Sequence, residues 1–377
     1  MSRRTLAIVA PAPKEPPAVQ EIVLDEPRSD EAIVEIHAVG ICHADVAVLQ
    51  GVIPLGFPKV VGHEGAGVVK VVGTDVKHVQ PGDKVILSFN PCGECGNCKR
   101  KLSSYCDHNM ARTWPGLRPD QSFTLKSVDG KPIYGNFFGQ SSWSRLALVQ
   151  RDCMVKVPQD TDLKLFAPLG CGVQTGTGVV WNTLDLQKGD SFVVSGCGAV
   201  GMSAIMAAKQ RGATTIMAVD INDERLSLAK ELGATHTFNG GAEDLVQQIH
   251  AVSPLPAGVR NAFDTTAVPK VIEAMIQATG VRGRTVVVGA TPPDKKISIQ
   301  PMEFLNMGKQ FIGSVEGDSH PPEAIPYMLE QHRQGHLPLE KIVSTYKYTE
   351  FARALDDMKT GKAIKPVLVW DDGDSAT

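Results

Sequence analysis

The sequence lacks any marked excess of charge: 38 lysines and arginines stand against 41 aspartates and glutamates, a formal net charge of −3. That leaves no basic footprint for nucleic acid or an anionic membrane surface. An export signal is not expected either. The apolar run after Arg3-Arg4 stops at Pro11, too short for a signal core, and is expected to be a first strand. Ser191 to Ala208 carries no charge, yet its glycines and serines suit a buried strand-turn-helix better than a membrane span. Internal repeats and low-complexity tracts are absent. Free thiols without export or spanning segments point to the cytosol. What remains is an ordinary soluble composition, 42% hydrophobic and 21% charged, in a chain of 377 residues. A single core rarely grows that large, so two domains are expected.

Four of the eight cysteines, Cys92, Cys95, Cys98 and Cys106, are spaced C-x2-C-x2-C-x7-C on a loop carrying Gly93 and Gly96. Four thiolates can close a tetrahedral shell around one zinc, leaving no position for substrate. The expected role is a structural staple. Disulfides are the competing reading, but two-residue spacings favour a metal.

Up to about residue 170 the chain offers short β-branched runs broken by glycine and proline, such as Ala32–Ala38, Gly67–Val72 and Asp83–Leu87. These predict an irregular β-barrel domain, with the cysteine loop as a lobe at about 90–108. From about residue 190 strands and helices alternate. Strands are expected at Phe192–Val194, Thr215–Val219, Asn261–Asp264 and Thr285–Val288, with helices over Met202–Arg211 and Asp223–Leu232. That rhythm implies an α/β, doubly wound parallel sheet. Pro366–Trp370 reads as a late strand and Asp371–Thr377 as a frayed end.

Gly196-Cys197-Gly198-Ala199-Val200-Gly201 is G-x-G-x-x-G between a strand and a helix. The first glycine permits the turn, the second admits pyrophosphate, and the third lets helix meet strand. Asp220 follows at the end of the next strand, where a carboxylate binds both ribose hydroxyls and repels a 2′-phosphate, so NAD is expected over NADP. Arg225 has three open readings: a ribose contact, a phosphate partner, or a solvated helix residue.

Cys42, His63 and Cys171, in the runs Gly40-Ile41-Cys42-His43, Gly62-His63-Glu64-Gly65 and Gly170-Cys171-Gly172, offer two thiolates and an imidazole. That is the ligand set of a catalytic zinc with its fourth position open. Asp45 can orient His63 through the far ring nitrogen. Glu64 is either an occasional extra ligand or a charged neighbour of the ligands.

With these motifs in order, the chain resembles the zinc-containing medium-chain alcohol dehydrogenases, nearest to the aryl (benzyl) and allylic alcohol type, over essentially its whole length. The resemblance implies a GroES-like catalytic domain over residues 1–172 and 314–377 and a Rossmann domain over 173–313. It implies catalytic zinc on Cys42, His63 and Cys171 and structural zinc on the four lobe cysteines. It further implies His43 and Lys365 at the cofactor pyrophosphate, Thr175 and Val200 near the nicotinamide, and a homodimer or homotetramer paired through the cofactor domains. Cys153 and Cys197 have no motif role.

One departure stands out. The family commonly relays the substrate proton through a Ser or Thr two residues after the first zinc cysteine, often with a histidine three positions beyond. Here those positions are Ala44 and Ala47. Losing a positioned acid–base group typically costs ~10²-fold to 10⁴-fold. Ser88, Phe89, Trp114, Phe137 and Phe138 are pocket candidates, with core packing the alternative for any of them, and Ala111 to Ile133 is expected as a long loop shaping the entrance. The function expected is NAD-linked, zinc-dependent interconversion of a primary aryl or allylic alcohol and its aldehyde. The missing relay keeps open conjugate reduction of an unsaturated carbonyl, and a cofactor-binding protein with vestigial redox activity.

Overall fold

The computed structural model describes residues 3–292 and 294–371. Contacts divide the chain into two units. The first comprises residues up to Cys171, His320–Leu329 and Leu339 onward; the second comprises Gly172–Ser319 and Glu330–Pro338.

In the first unit a seven-stranded sheet runs in the order Val343–Lys347, Lys365–Val369, Glu31–Gly40, Glu64–Val72, Lys84–Leu87 and Met154–Lys156, with Leu146–Gln150 also paired to Glu31–Gly40. A smaller sheet joins Arg3–Val9, Ala18–Leu24, Leu125–Ser127 and Pro132–Ile133. Residues from both sheets, among them Ile8, Ile22, Ile33, Ile36 and Val85, form one buried cluster. Each such side chain contributes about 1.5–3 kcal/mol by leaving water. The segment expected as a long loop is partly ordered by strands at Leu125–Ser127 and Pro132–Ile133. Their antiparallel pairing closes over a turn that Gly130 permits at φ +86°.

The second unit is a six-stranded sheet, all parallel, in the order His236–Asn239, Thr215–Asp220, Ser191–Ser195, Val259–Asp264, Thr279–Val287 and Gln310–Gly313. Phe192, Val193 and Val194 are fully buried, the unbroken apolar run expected of a strand covered on both faces. The turn Glu316–Asp318 is tied into this unit: Glu316 accepts from Gln174 and Thr175, Gly317 from Asn182, and Asp318 from Thr183. Of the expected frayed end, residues 372–377 lie outside the described residues. No helix among the described residues is long and apolar enough to cross a membrane.

Candidate active site

Three separated segments of the first unit converge on one cluster. Cys42 caps the helix His43–Leu49, His63 precedes the strand Glu64–Val72, and Cys171 follows the turn Ala167–Gly170. One ligand atom from each of Cys42, His63, Glu64 and Cys171 lies within 4.8 Å of the others. Asp45 builds the corner. Its Oδ2 accepts the Cys42 N–H at 3.0 Å, and its Oδ1 accepts the Gly62 N–H and the His63 ring, both at 2.9 Å. A carboxylate can only accept, so Nδ1 is the donor and Nε2 is left for the cluster, where it is buried with no hydrogen-bond partner. Gly62 makes the approach possible, at φ +94° and with Trp143 where a Cβ would stand. Gly170 does the same for Cys171, because a Cβ there would meet the Leu87 carbonyl at 1.9 Å.

Charge in the cluster is strongly coupled. A hydrogen bond with Cys171, helped by His63, holds the Cys42 thiol well below its ordinary pKa. Burial alone would lower the His63 pKa, but Asp45 and Cys42 hold it well above the usual value. Two soft sulfurs, a partnerless imidazole nitrogen and a thiol biased toward thiolate fit a zinc ion. Glu64 is fully buried and receives the Lys365 ammonium on both oxygens, at 2.8 and 3.0 Å. Lys365 also donates to the Ile41 carbonyl, so the structure places its ammonium beneath the cluster, 3% exposed.

An aromatic group packs on this site. Phe138 stacks on the His63 ring at 4.3 Å, Phe137 meets it edge-on at 5.6 Å, and Trp114 lies 5.9 and 5.2 Å from the two phenyl rings. Phe89 is buried in the same apolar cluster but shares none of these ring contacts. Ser88 is fully buried, and its hydroxyl donates to the Gly170 carbonyl at 2.7 Å, which fixes the turn before Cys171.

The second cysteine group also closes: Cys92, Cys95, Cys98 and Cys106 bring their sulfurs within 4.8 Å of one another. Backbone N–H groups turn inward onto them, from Cys95 to Cys92, Cys98 to Cys95 and Cys92 to Cys106. The N–H groups of Asp107 and Cys98 bring the Cys95 thiol down to about 6. Four sulfurs so arranged fit a structural zinc. None of the eight cysteines is joined in a disulfide.

In the second unit the glycine run links the strand Ser191–Ser195 to the helix Ala199–Gln210. Gly196 turns at φ +87°, and Gly201 touches its carbonyl, which a Cβ would meet at 1.9 Å. At Gly198 a Cβ would find no protein atom within 4 Å, the open approach a pyrophosphate needs. The Asp220 carboxylate accepts the Cys197 N–H at 2.6 Å and the Asn222 N–H at 2.9 Å. Arg225 is half-buried, and its Nε is a buried donor with no partner. Thr175 lies beside Gly176, whose Cα abuts the Val200 carbonyl at the start of the fingerprint helix Ala199–Gln210. These residues fit NAD(H) by shape and by donor set. His43 is exposed at the first turn of its helix.

The model of the alcohol dehydrogenase GroES-like domain matches residues 28–159, and that of the zinc-binding dehydrogenase matches residues 199–331. Geraniol dehydrogenase from Castellaniella defragrans is 37% identical over 356 residues, which cover 94% of this chain and 95% of that one. The chain belongs to the zinc-dependent medium-chain alcohol dehydrogenases. Benzyl alcohol dehydrogenase from Acinetobacter calcoaceticus superposes with a TM-score of 0.93 at 35% identity, covering 98% of this chain and all (100%) of that one. An alcohol dehydrogenase zinc-binding domain protein from Burkholderia ambifaria gives 0.95 at 40% identity, over the same 98% and 100%. This dehydrogenase therefore interconverts an alcohol and its aldehyde using zinc and NAD(H).

Several supports of the dehydrogenase site carried no motif signal. Gln140 is fully buried; its amide donates to the His63 and Ser88 carbonyls, each at 2.9 Å, and its oxygen accepts the Gly65 N–H. It joins the segment holding His63 to the one that supports Cys171. Only the Gln140-Ser141-Ser142 polar run inside an apolar stretch hints at this. Cys153 and Cys197 are buried, and burial pushes both thiols up, away from reactivity.

Proposed function

We propose that this dehydrogenase acts on primary alcohols whose carbinol carbon is attached to an aromatic ring or a double bond, with NAD(H) as its cofactor. The observation that carries this reading is the packing of Phe137 and Phe138 on His63, with Trp114 against both phenyl rings, an apolar aromatic group beside the zinc ligands. Two relatives support it, one named for geraniol and one for benzyl alcohol. In this reading Cys42, His63 and Cys171 hold the catalytic zinc, with Glu64 behind them on Lys365, and Asp45 fixes the tautomer and angle of His63. Zinc supplies a Lewis acid for the substrate oxygen, and NAD(H) supplies the hydride carrier. Gly196, Gly198 and Gly201 receive the pyrophosphate, Asp220 and Arg225 the adenosine ribose, and Thr175 and Val200 lie toward the nicotinamide. His43 offers a ring N–H to the phosphates. Phe137 and Phe138 keep water off the imidazole face. Ala44 and Ala47 can move no proton, so the substrate proton must reach solvent by water.

Eight cysteines with no disulfide among them suit a reducing compartment, and we place the enzyme in the cytosol. Two copies are proposed to pair through the edge strand Gln310–Gly313. The missing relay also favours a second reading, reduction of the carbon–carbon double bond, which leaves the proton on carbon. Incubating zinc-replete enzyme with cinnamaldehyde and NADH distinguishes them. Cinnamyl alcohol is expected; the saturated aldehyde would replace the proposal with the second reading. NADPH supporting the faster rate would overturn the assignment of Asp220.

A further inference from the structure

Lys59 stands between Pro58 and Val60 in an apolar stretch leading to His63, and its side chain is fully buried. A lysine so placed ordinarily extends to solvent or finds a carboxylate. This one does neither: among the described residues no carboxylate lies within ion-pair reach. Its Nζ donates to the Pro115 carbonyl at 2.7 Å and sits 3.5 Å from that of Trp114. The ammonium also lies 5.1 Å from the Tyr134 ring centre and 5.7 Å from that of Phe137. Burial pushes its pKa down to about 7. A methionine or leucine would fill the volume without desolvating a cation, so core packing does not account for the amine. What the amine does, and an apolar side chain cannot, is hold two successive carbonyls.

Those carbonyls carry the aromatic wall. Trp114, Pro115 and Gly116 form the turn that places the indole against Phe137 and Phe138. Gly116 turns at φ +79°, and a Cβ on it would come within 2.6 Å of the lysine nitrogen. From the other side the Gly116 carbonyl accepts the N–H groups of Gly135 and Asn136, each at 3.0 Å. The turn is thus gripped between Lys59 and the residues just before Phe137.

We propose that Lys59 is a positioning residue for substrate selection. By holding the Trp114–Gly116 turn on the phenyl rings that cover His63, it sets the preference for aromatic over short aliphatic alcohols. The proposal rests on the reading of Trp114, Phe137 and Phe138 as a substrate wall.

The test compares benzyl alcohol with propan-1-ol as substrates of zinc-loaded, NAD-supplemented enzyme in Lys59→Met, Trp114→Ala and the double variant. Lys59→Met is expected to raise KM for benzyl alcohol about tenfold with a much smaller change in kcat, and to lower the benzyl-to-propyl ratio of kcat/KM. Trp114→Ala should move the ratio the same way. The double variant should be no worse than Trp114→Ala alone, because the lysine acts through the tryptophan. A purely structural lysine would lower the melting temperature, or both substrates' kcat/KM equally, and leave the ratio in place. That result, with Trp114→Ala still changing the ratio, overturns the assignment of Lys59 and spares the wall. No change in ratio with Trp114→Ala overturns both. Should Lys59→Met fail to fold, Gly116→Ala displaces the ammonium from the loop side, and an unaltered ratio there overturns the proposal equally.

Discussion

At the scale of single residues, the site depends on Asp45, whose two oxygens take three donors. Asp45 takes the Cys42 and Gly62 N–H groups and the His63 ring. Asp45→Asn would keep one oxygen for three donors and turn an amide toward another donor. The expected outcome is a loss of zinc affinity of about 10–100-fold at the catalytic site, measured by chelator competition, with the lobe zinc retained. Equal retention of both zinc ions would remove Asp45 from the proposed role. Lys59 offers a test by pH. Its folded pKa of about 7 lies below the ~10.4 of an unfolded lysine. Between those values the unfolded chain binds more protons, so this residue's contribution to stability is least below pH 7 and improves as pH rises toward 10. The urea midpoint of the wild type should therefore gain on that of Lys59→Met between pH 7 and 9. A constant difference would mean that the lysine keeps its proton in the folded enzyme throughout.

At the scale of elements, legibility followed sequence distance. The cysteine lobe and glycine cradle were readable because their chemistry needs fixed short spacings, and Cys42, His63 and Cys171 because each sits in its own short motif. The strands of the parallel sheet announced themselves as apolar runs such as Phe192–Val194. Lys59, Gln140 and Arg118 belong to no motif, and the partners that give each its role lie tens of residues away. The stretch Ala111–Ile133 shows the cost of that gap. Its glycines and prolines predict a long loop but not what holds it: Arg118 anchors it, donating to both Glu31 oxygens at 2.7 and 2.9 Å and to Asp25 at 2.6 Å. Arg118 and Glu31 are each about 1% exposed, and Gln150 adds a further hydrogen bond to Glu31. Arg118→Met leaves the Glu31 carboxylate buried without its cation. A loss of about 3–5 kcal/mol in urea unfolding is expected. A loss below about 1 kcal/mol, the range of exposed ion pairs, would show that water reaches the pair and that the loop is held elsewhere.

At the scale of the whole molecule, the last strand of the second unit's sheet has exposed apolar residues around it. Gln310–Gly313 is the last strand in the order, and the helix Pro301–Met307 before it buries none of its residues. Met302 is 61% exposed, Leu305 73% and Phe311 40%. A strand at the end of a sheet can serve as a template for another strand, and an apolar patch beside it favours a partner over water. A second copy of the chain meets both needs by a two-fold axis, which sets the same edge against itself and closes the assembly at two. The proposed dimer should therefore appear by sedimentation equilibrium at micromolar enzyme. Leu305→Asp, a charge at a position 73% exposed, is expected to shift the enzyme toward monomer while circular dichroism and zinc content stay as in the wild type. If the variant sediments as the wild type does, the edge is not the interface, whatever the assembly's size. A wild-type monomer would instead leave the apolar helix facing solvent and require a partner other than this chain.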